Sequence, residues 1–139
     1  MSQEKILVSA CLVGVNCRYD CKSKTSPNIV DLLDQGLVVP VCPEQLGGLS
    51  TPREPAERVN DKVLTTSGKD VTQNFHMGAQ EALKIAKLFG VSKAILKSKS
   101  PMCGKDQIYD GSYSGTLKSG HGVLTEVLLA HNIEVESCD

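Results

Sequence analysis

Tryptophan is absent from this chain, and aromatic residues make up only 4% of it. That scarcity argues against a stacking platform for single-stranded nucleic acid. No charge of one sign dominates: 15 basic and 16 acidic residues are mixed along the sequence, for a net charge of -1. Neither a nucleic-acid polymer nor an anionic membrane is therefore expected as a partner. No apolar run approaches the roughly 18 residues of a membrane-spanning helix. The opening residues, MSQEK, lack the apolar stretch of a signal peptide, so a cytoplasmic location is expected. No G-x-G-x-x-G follows the first strand-like run and no Walker motif occurs, which disfavours a nucleotide cofactor. There is no CxxC pair either, which sets aside a zinc ribbon or a bacterial ferredoxin.

What the chain does have is an α/β pattern. Its 139 residues, 40% of them apolar, suit one domain spanning 1–139. Strands are predicted at 5–10 (KILVSA), 37–42 (LVVPVC), 93–98 (KAILKS) and 133–137 (IEVES). Pro40 disfavours a central position for the second of these. A helix is expected from Ser26 and Pro27 to a stop at Gly36. Asp70 and Gln73 read as a capping box for a second helix. Its inward face would carry Val71, Phe75, Gly78, Ala82, Ile85 and Phe89. A third helix is predicted over 119–131, with Val123, Leu124, Val127 and Leu128 inward. Residues 43–69 read as a long loop holding a hairpin around Asn60-Asp61, and SKSPMCGKDQIYDGSYSGTLKSG as a polar, Gly-rich loop with an Asp-Gly turn. Strands alternating with helices imply a Rossmann-like, three-layer domain. Its small sheet would be mostly parallel, about four main strands in the order 2-1-3-4, with helices on both faces.

Six cysteines stand at spacings of 6, 4, 21, 61 and 35 residues. With no secretion signal, they point to metal binding, redox chemistry or burial rather than disulfides. Cys11, Cys42 and Cys103 each lie where an apolar run gives way to turn residues. A parallel sheet gathers its strand exits at one edge, where open α/β folds bind ligands, so these three thiols can converge. Three protein ligands leave a metal position open, the condition for catalysis there. The Cys-rich, His-poor set leans to iron–sulfur chemistry over zinc. Cys138, beside the C-terminus, reads as incidental, as does Cys21; Cys17 shares the Cys11 loop and its role is open. Glu44, two residues past Cys42, is a candidate for proton transfer, and Ser100, before Pro101, for a bond to substrate. Arg18, Arg53, Lys97 and Lys99 can offset thiolate charge, and Tyr109 and Tyr113 can wall a planar substrate. Two rival readings remain: a non-catalytic metal or iron–sulfur carrier, and a zinc hydrolase using the same three cysteines, with or without His121.

The segments SACLVGVNCRYD, PVCPEQLGGLSTPR, GKDVTQNFHMGA, LKSKSPMCG and IYDGSYSG together resemble the thiouracil desulfidase family, over about residues 5–135. The resemblance implies a compact α/β domain carrying an oxygen-labile 4Fe-4S cluster on Cys11, Cys42 and Cys103, with one iron open. It implies catalytic help from Glu44 and Ser100. The implied reaction is non-redox and acts on a small thiolated pyrimidine such as 2-thiouracil. Its thiocarbonyl sulfur is drawn to the open iron, water aided by Glu44 adds to the ring carbon, and uracil and sulfide leave. Two positions depart from the pattern: Cys21 stands where glycine is common, and Met102 where serine is frequent. Both are expected near enough to alter the pocket.

Overall fold

The structure, a computed structural model, describes residues 4–139, so most of the MSQEK stretch lies outside the described residues. In chain order the elements are β1 (Ile6–Ser9), α1 (Pro27–Asp34), β2 (Val38–Val41), α2 (Pro43–Leu46), β3 (Ala56–Val59), β4 (Lys62–Thr65), α3 (Thr72–Leu88), β5 (Lys93–Lys97), β6 (Gln107–Tyr109), β7 (Leu117–Ser119), α4 (Val123–Ala130) and β8 (Glu134–Cys138). A 3-10 turn, Ala10–Val13, follows β1 directly.

The four apolar runs form one parallel sheet in the order β2-β1-β5-β8, the arrangement expected from the sequence. Pro40 lies on β2, at the sheet edge, where a missing N–H costs no ladder bond. Alternation along each strand sends side chains to opposite faces. Leu7, Val39, Ala94, Leu96 and Val135 pack with α3 and α4 in the larger core. Val8, Val38 and Ile95 pack with Leu12 and with Ile29 of α1 in the smaller one. Helices thus cover both faces. Phe75, fully buried at the centre of the larger core, is worth roughly 2–3 kcal/mol in transfer free energy alone. No described helix is long and apolar enough to cross a membrane.

Several local expectations need correction. The loop after β1 begins as the 3-10 turn, because Gly14 takes a left-handed φ of +99° and its N–H closes back on Ala10 and Cys11. The N-cap of α3 is Val71, not Asp70. Asp70 instead bridges to Leu64 of β4 and accepts the Thr72 N–H at 2.9 Å, which leaves no capping box. The buried face of α3 also takes in Ala79, Leu83 and Ala86, while Phe89 lies past the helix end and is exposed. The third predicted helix starts at Val123 rather than at 119, because Leu117–Ser119 pairs with Gln107–Tyr109 as an antiparallel hairpin. The hairpin around Asn60-Asp61 forms as read, β3 against β4.

Candidate active site

β1, β2 and β5 end side by side, and their exits form the floor of a cavity of about 440 Å³. Cys11, Cys42 and Cys103 all line it, together with Glu44 and Ser100. Cys11 is carried on the 3-10 turn, whose rim is closed by the Lys24 N–H donating to the Cys11 carbonyl at 2.9 Å. Cys42 stands at the N-cap of α2, a one-turn helix that begins with Pro43. Cys103 sits in a tight turn. The Gly104 N–H donates to the Ser100 carbonyl at 2.9 Å, and the Cys103 N–H to Ser100 Oγ at 2.7 Å. The start of α4 braces that turn. Val123 and Leu124 donate to the carbonyls of Pro101 and Met102, and Thr125 Oγ1 to that of Cys103 at 2.9 Å.

The thiols differ in environment. Burial pushes Cys11 up, opposed by Lys97 and Arg18. Burial pushes Cys103 further up, partly offset by the Ser9 hydroxyl that donates to its Sγ at 3.5 Å. As a thiol, Cys42 donates to the Cys17 carbonyl at 3.6 Å. As a thiolate it accepts the Cys17 S–H, and that bond, with the Gln45 N–H and Arg53, holds it down at about 7 despite burial. Cys17 is pushed up in return, first by the same bond and then by burial. Burial keeps protons on Cys11 and Cys103, and the charge of a bound metal would remove them.

Glu44 sits in an ion pair with Arg53, Nε to Oε1 at 3.1 Å. Burial raises its pKa, and the Arg53 guanidinium opposes the rise. Burial also pulls Lys97 down. Arg18, Arg53, Tyr109 and Tyr113 line the cavity as well. Cys17 joins it, buried against Cys42. Lys99 is not among the lining residues.

Other expected contributors stand elsewhere. His121 is outside the lining, and its Nδ1 accepts the Asp106 N–H at 3.1 Å, so the four-ligand zinc set does not assemble. Cys138 packs with the smaller core, and Cys21 is exposed. Cys21 has a φ of +64°, the region that favours glycine. Met102 is buried in the larger core. Neither Cys21 nor Met102 lines the pocket, contrary to expectation. The sequence reading missed Ser9, whose only trace was its place two residues before Cys11.

Among the described residues, no three His, Cys, Asp or Glu gather tightly enough for a single metal ion. Mononuclear zinc draws every donor to about 2.3 Å or less from one centre. A polynuclear cluster spreads its thiolates over different metal atoms. Three soft donors around one roomy cavity therefore fit a cluster better than zinc.

Comparison with known proteins agrees with this chemistry. Residues 6–139 match the 2-thiouracil desulfurase family. Uncharacterized protein YbbK of Bacillus subtilis (strain 168) is 44% identical over 133 residues, covering 88% of each chain. A solved structure of the 4Fe-4S-dependent thiouracil desulfidase TudS is 45% identical, with a TM-score of 0.93 over 97% of this chain and 91% of that one. With the family matched across the whole fold just described, the chain belongs to the 2-thiouracil desulfurase family.

Proposed function

We propose that the protein removes sulfur from a small thiolated pyrimidine such as 2-thiouracil, with a 4Fe-4S cluster held by Cys11, Cys42 and Cys103. The observation that carries this reading is the convergence of three thiols, from three strand exits, on one cavity that also holds a carboxylate. The overall reaction is a hydrolysis: thiouracil and water give uracil and hydrogen sulfide, with no net electron transfer. When bound, the cluster supplies a soft Lewis acid that favours sulfur and polarises the thiocarbonyl. Glu44 takes a proton from the water as its oxygen bonds to the ring carbon. Its raised pKa suits it to hold that proton nearer neutrality, before the C–S bond breaks and sulfide leaves. Ser100 Oγ is fixed in place by accepting the Cys103 N–H, and its own proton bonds the substrate. Tyr109 and Tyr113 flank the planar ring, and Arg18 and Lys97 offset thiolate charge. The reading places the chain in a reducing, cytoplasmic setting where such a cluster survives.

Anaerobic purification tests the occupant. Brown protein with about four iron and four labile sulfide per chain is expected. Cys11→Ser, Cys42→Ser and Cys103→Ser should each lose the colour, and Cys138→Ser should keep it. Colourless protein with stoichiometric zinc would overturn the assignment. For the reaction, 2-thiouracil should yield uracil and sulfide in equal amounts. Cluster-replete protein that releases no sulfide would sink the activity.

A further inference from the structure

Arg53 is fastened on every side. Its guanidinium donates to Glu44 Oε1 at 3.1 Å, Ser50 O at 3.1 Å, Thr51 Oγ1 at 2.8 Å and Cys17 O at 3.0 Å. Its backbone N–H donates to Tyr19 O at 2.9 Å. The side chain is only 9% exposed. A planar fork held by four acceptors cannot swing, so it fixes whatever it grips. It grips three segments at once: the loop after β1, the turn at Ser50–Thr51, and α2. Glu44 Oε1 is consumed by this contact, whereas Oε2 makes no hydrogen bond to a described residue. Glu44 lines the cavity, so Oε2 is the oxygen left for water.

We propose that Arg53 is a positioning residue, which by holding Oε1 aims Oε2 of Glu44 into the cavity and by holding the Cys17 carbonyl ties that aim to the thiol loop. The inference rests on Glu44 serving the desulfuration proposed above. A guanidinium that only stabilised the fold would act the same with or without a carboxylate at position 44. One that touched substrate would act independently of Glu44.

A double-mutant cycle on anaerobically loaded protein separates these cases. Arg53→Met should keep wild-type iron content and lower kcat about 100-fold, the scale of a misplaced catalytic group. KM for 2-thiouracil should stay within about threefold, because binding is untouched. Arg53→Lys, which keeps the charge and loses the fork, should recover part of kcat. In a Glu44→Gln background, Arg53→Met should cost less than about threefold. Losses that multiply in the double variant would overturn the proposal, as would loss of the cluster from both Arg53 variants. Should Arg53→Met alone fail to load, Arg53→Lys carries the same cycle. A second readout needs no turnover: crystals of loaded wild type and Arg53 variant. The carboxylate of Glu44 should be displaced or disordered in the variant, with the three cysteines in place. An unmoved Glu44 would refute the role. Loaded wild type that releases no sulfide would defeat the proposed function alone, and the crystals would still decide Arg53.

Discussion

Ser9 is buried, fully bonded and joined to both the sheet and the site. Its Oγ accepts the Lys97 N–H at 2.9 Å and donates to Cys103 Sγ at 3.5 Å. A hydrogen bond to a ligand sulfur draws off charge and favours the reduced cluster. Ser9→Ala should therefore lower the midpoint potential while iron content holds, as read by potentiometric titration. It should also cost roughly 1–3 kcal/mol in a denaturant melt, because the Lys97 N–H loses its acceptor. An unchanged potential would refute this coupling. Ser9 illustrates what residues disclose in sequence. Cys11, Cys42 and Cys103 stood out because a thiol at an apolar run's exit has no packing motive. A serine inside such a run looks like any other strand residue. Its partners lie 88 and 94 positions away, a distance that periodicity does not span.

Among the elements, α2 carries the most chemistry on the least structure. It is a one-turn helix bearing Glu44, with Cys42 at its cap. Alone such a helix is unstable; it is held by a crossing on α3. The ideal Cβ of an alanine at Gly78 would lie 1.8 Å from the Pro43 carbonyl oxygen. Backbone here touches backbone, and only hydrogen fits. Asn74 Nδ2 adds a bond to Gly47 O at 2.9 Å. Gly78→Ala should cost about 3 kcal/mol in overpacking, the upper end for a side chain driven into backbone, against the ~1 kcal/mol that alanine gains in helix propensity. Because α2 must shift, iron content should fall as well; wild-type melting and iron would show that the crossing has slack. The sequence marked Gly78 as inward but gave no sign of α2, since four residues are too few for a periodic signal. The β6–β7 hairpin was hidden for a similar reason: three-residue strands around a Ser- and Gly-rich turn carry no clear alternation. The β3–β4 hairpin was readable because Asn-Asp sits between two alternating runs.

At the scale of the whole molecule, two hairpins meet over the strand exits. Glu57 Oε1 of β3 accepts the N–H groups of Gly111 and Tyr113 at 2.9 and 3.1 Å. Tyr113 OH returns a bond to Leu64 O at 2.5 Å. Gly111, at φ +94°, passes so close to β3 that an added Cβ would stand 2.9 Å from Arg58 O. This clasp holds Tyr113 at the cavity. Glu57→Ala should speed amide exchange at residues 110–116 and raise KM for 2-thiouracil about tenfold, with iron content unchanged. Wild-type exchange would mean that other contacts hold the loop. The strand order was legible from the alternation of strands and helices and from Pro40, which sent β2 to the edge. The meeting of the hairpins was not legible, because contacts between residues some 55 positions apart depend on a loop path that no local pattern encodes. Pro40 has one more effect, on what other chains can do to this sheet. Pro40 brings no N–H to the open side of β2, so a strand arriving there meets a gap in the donor row. The edge that carries Cys42 to the site is thereby a poor template for edge-to-edge aggregation, even when the chain is crowded during synthesis.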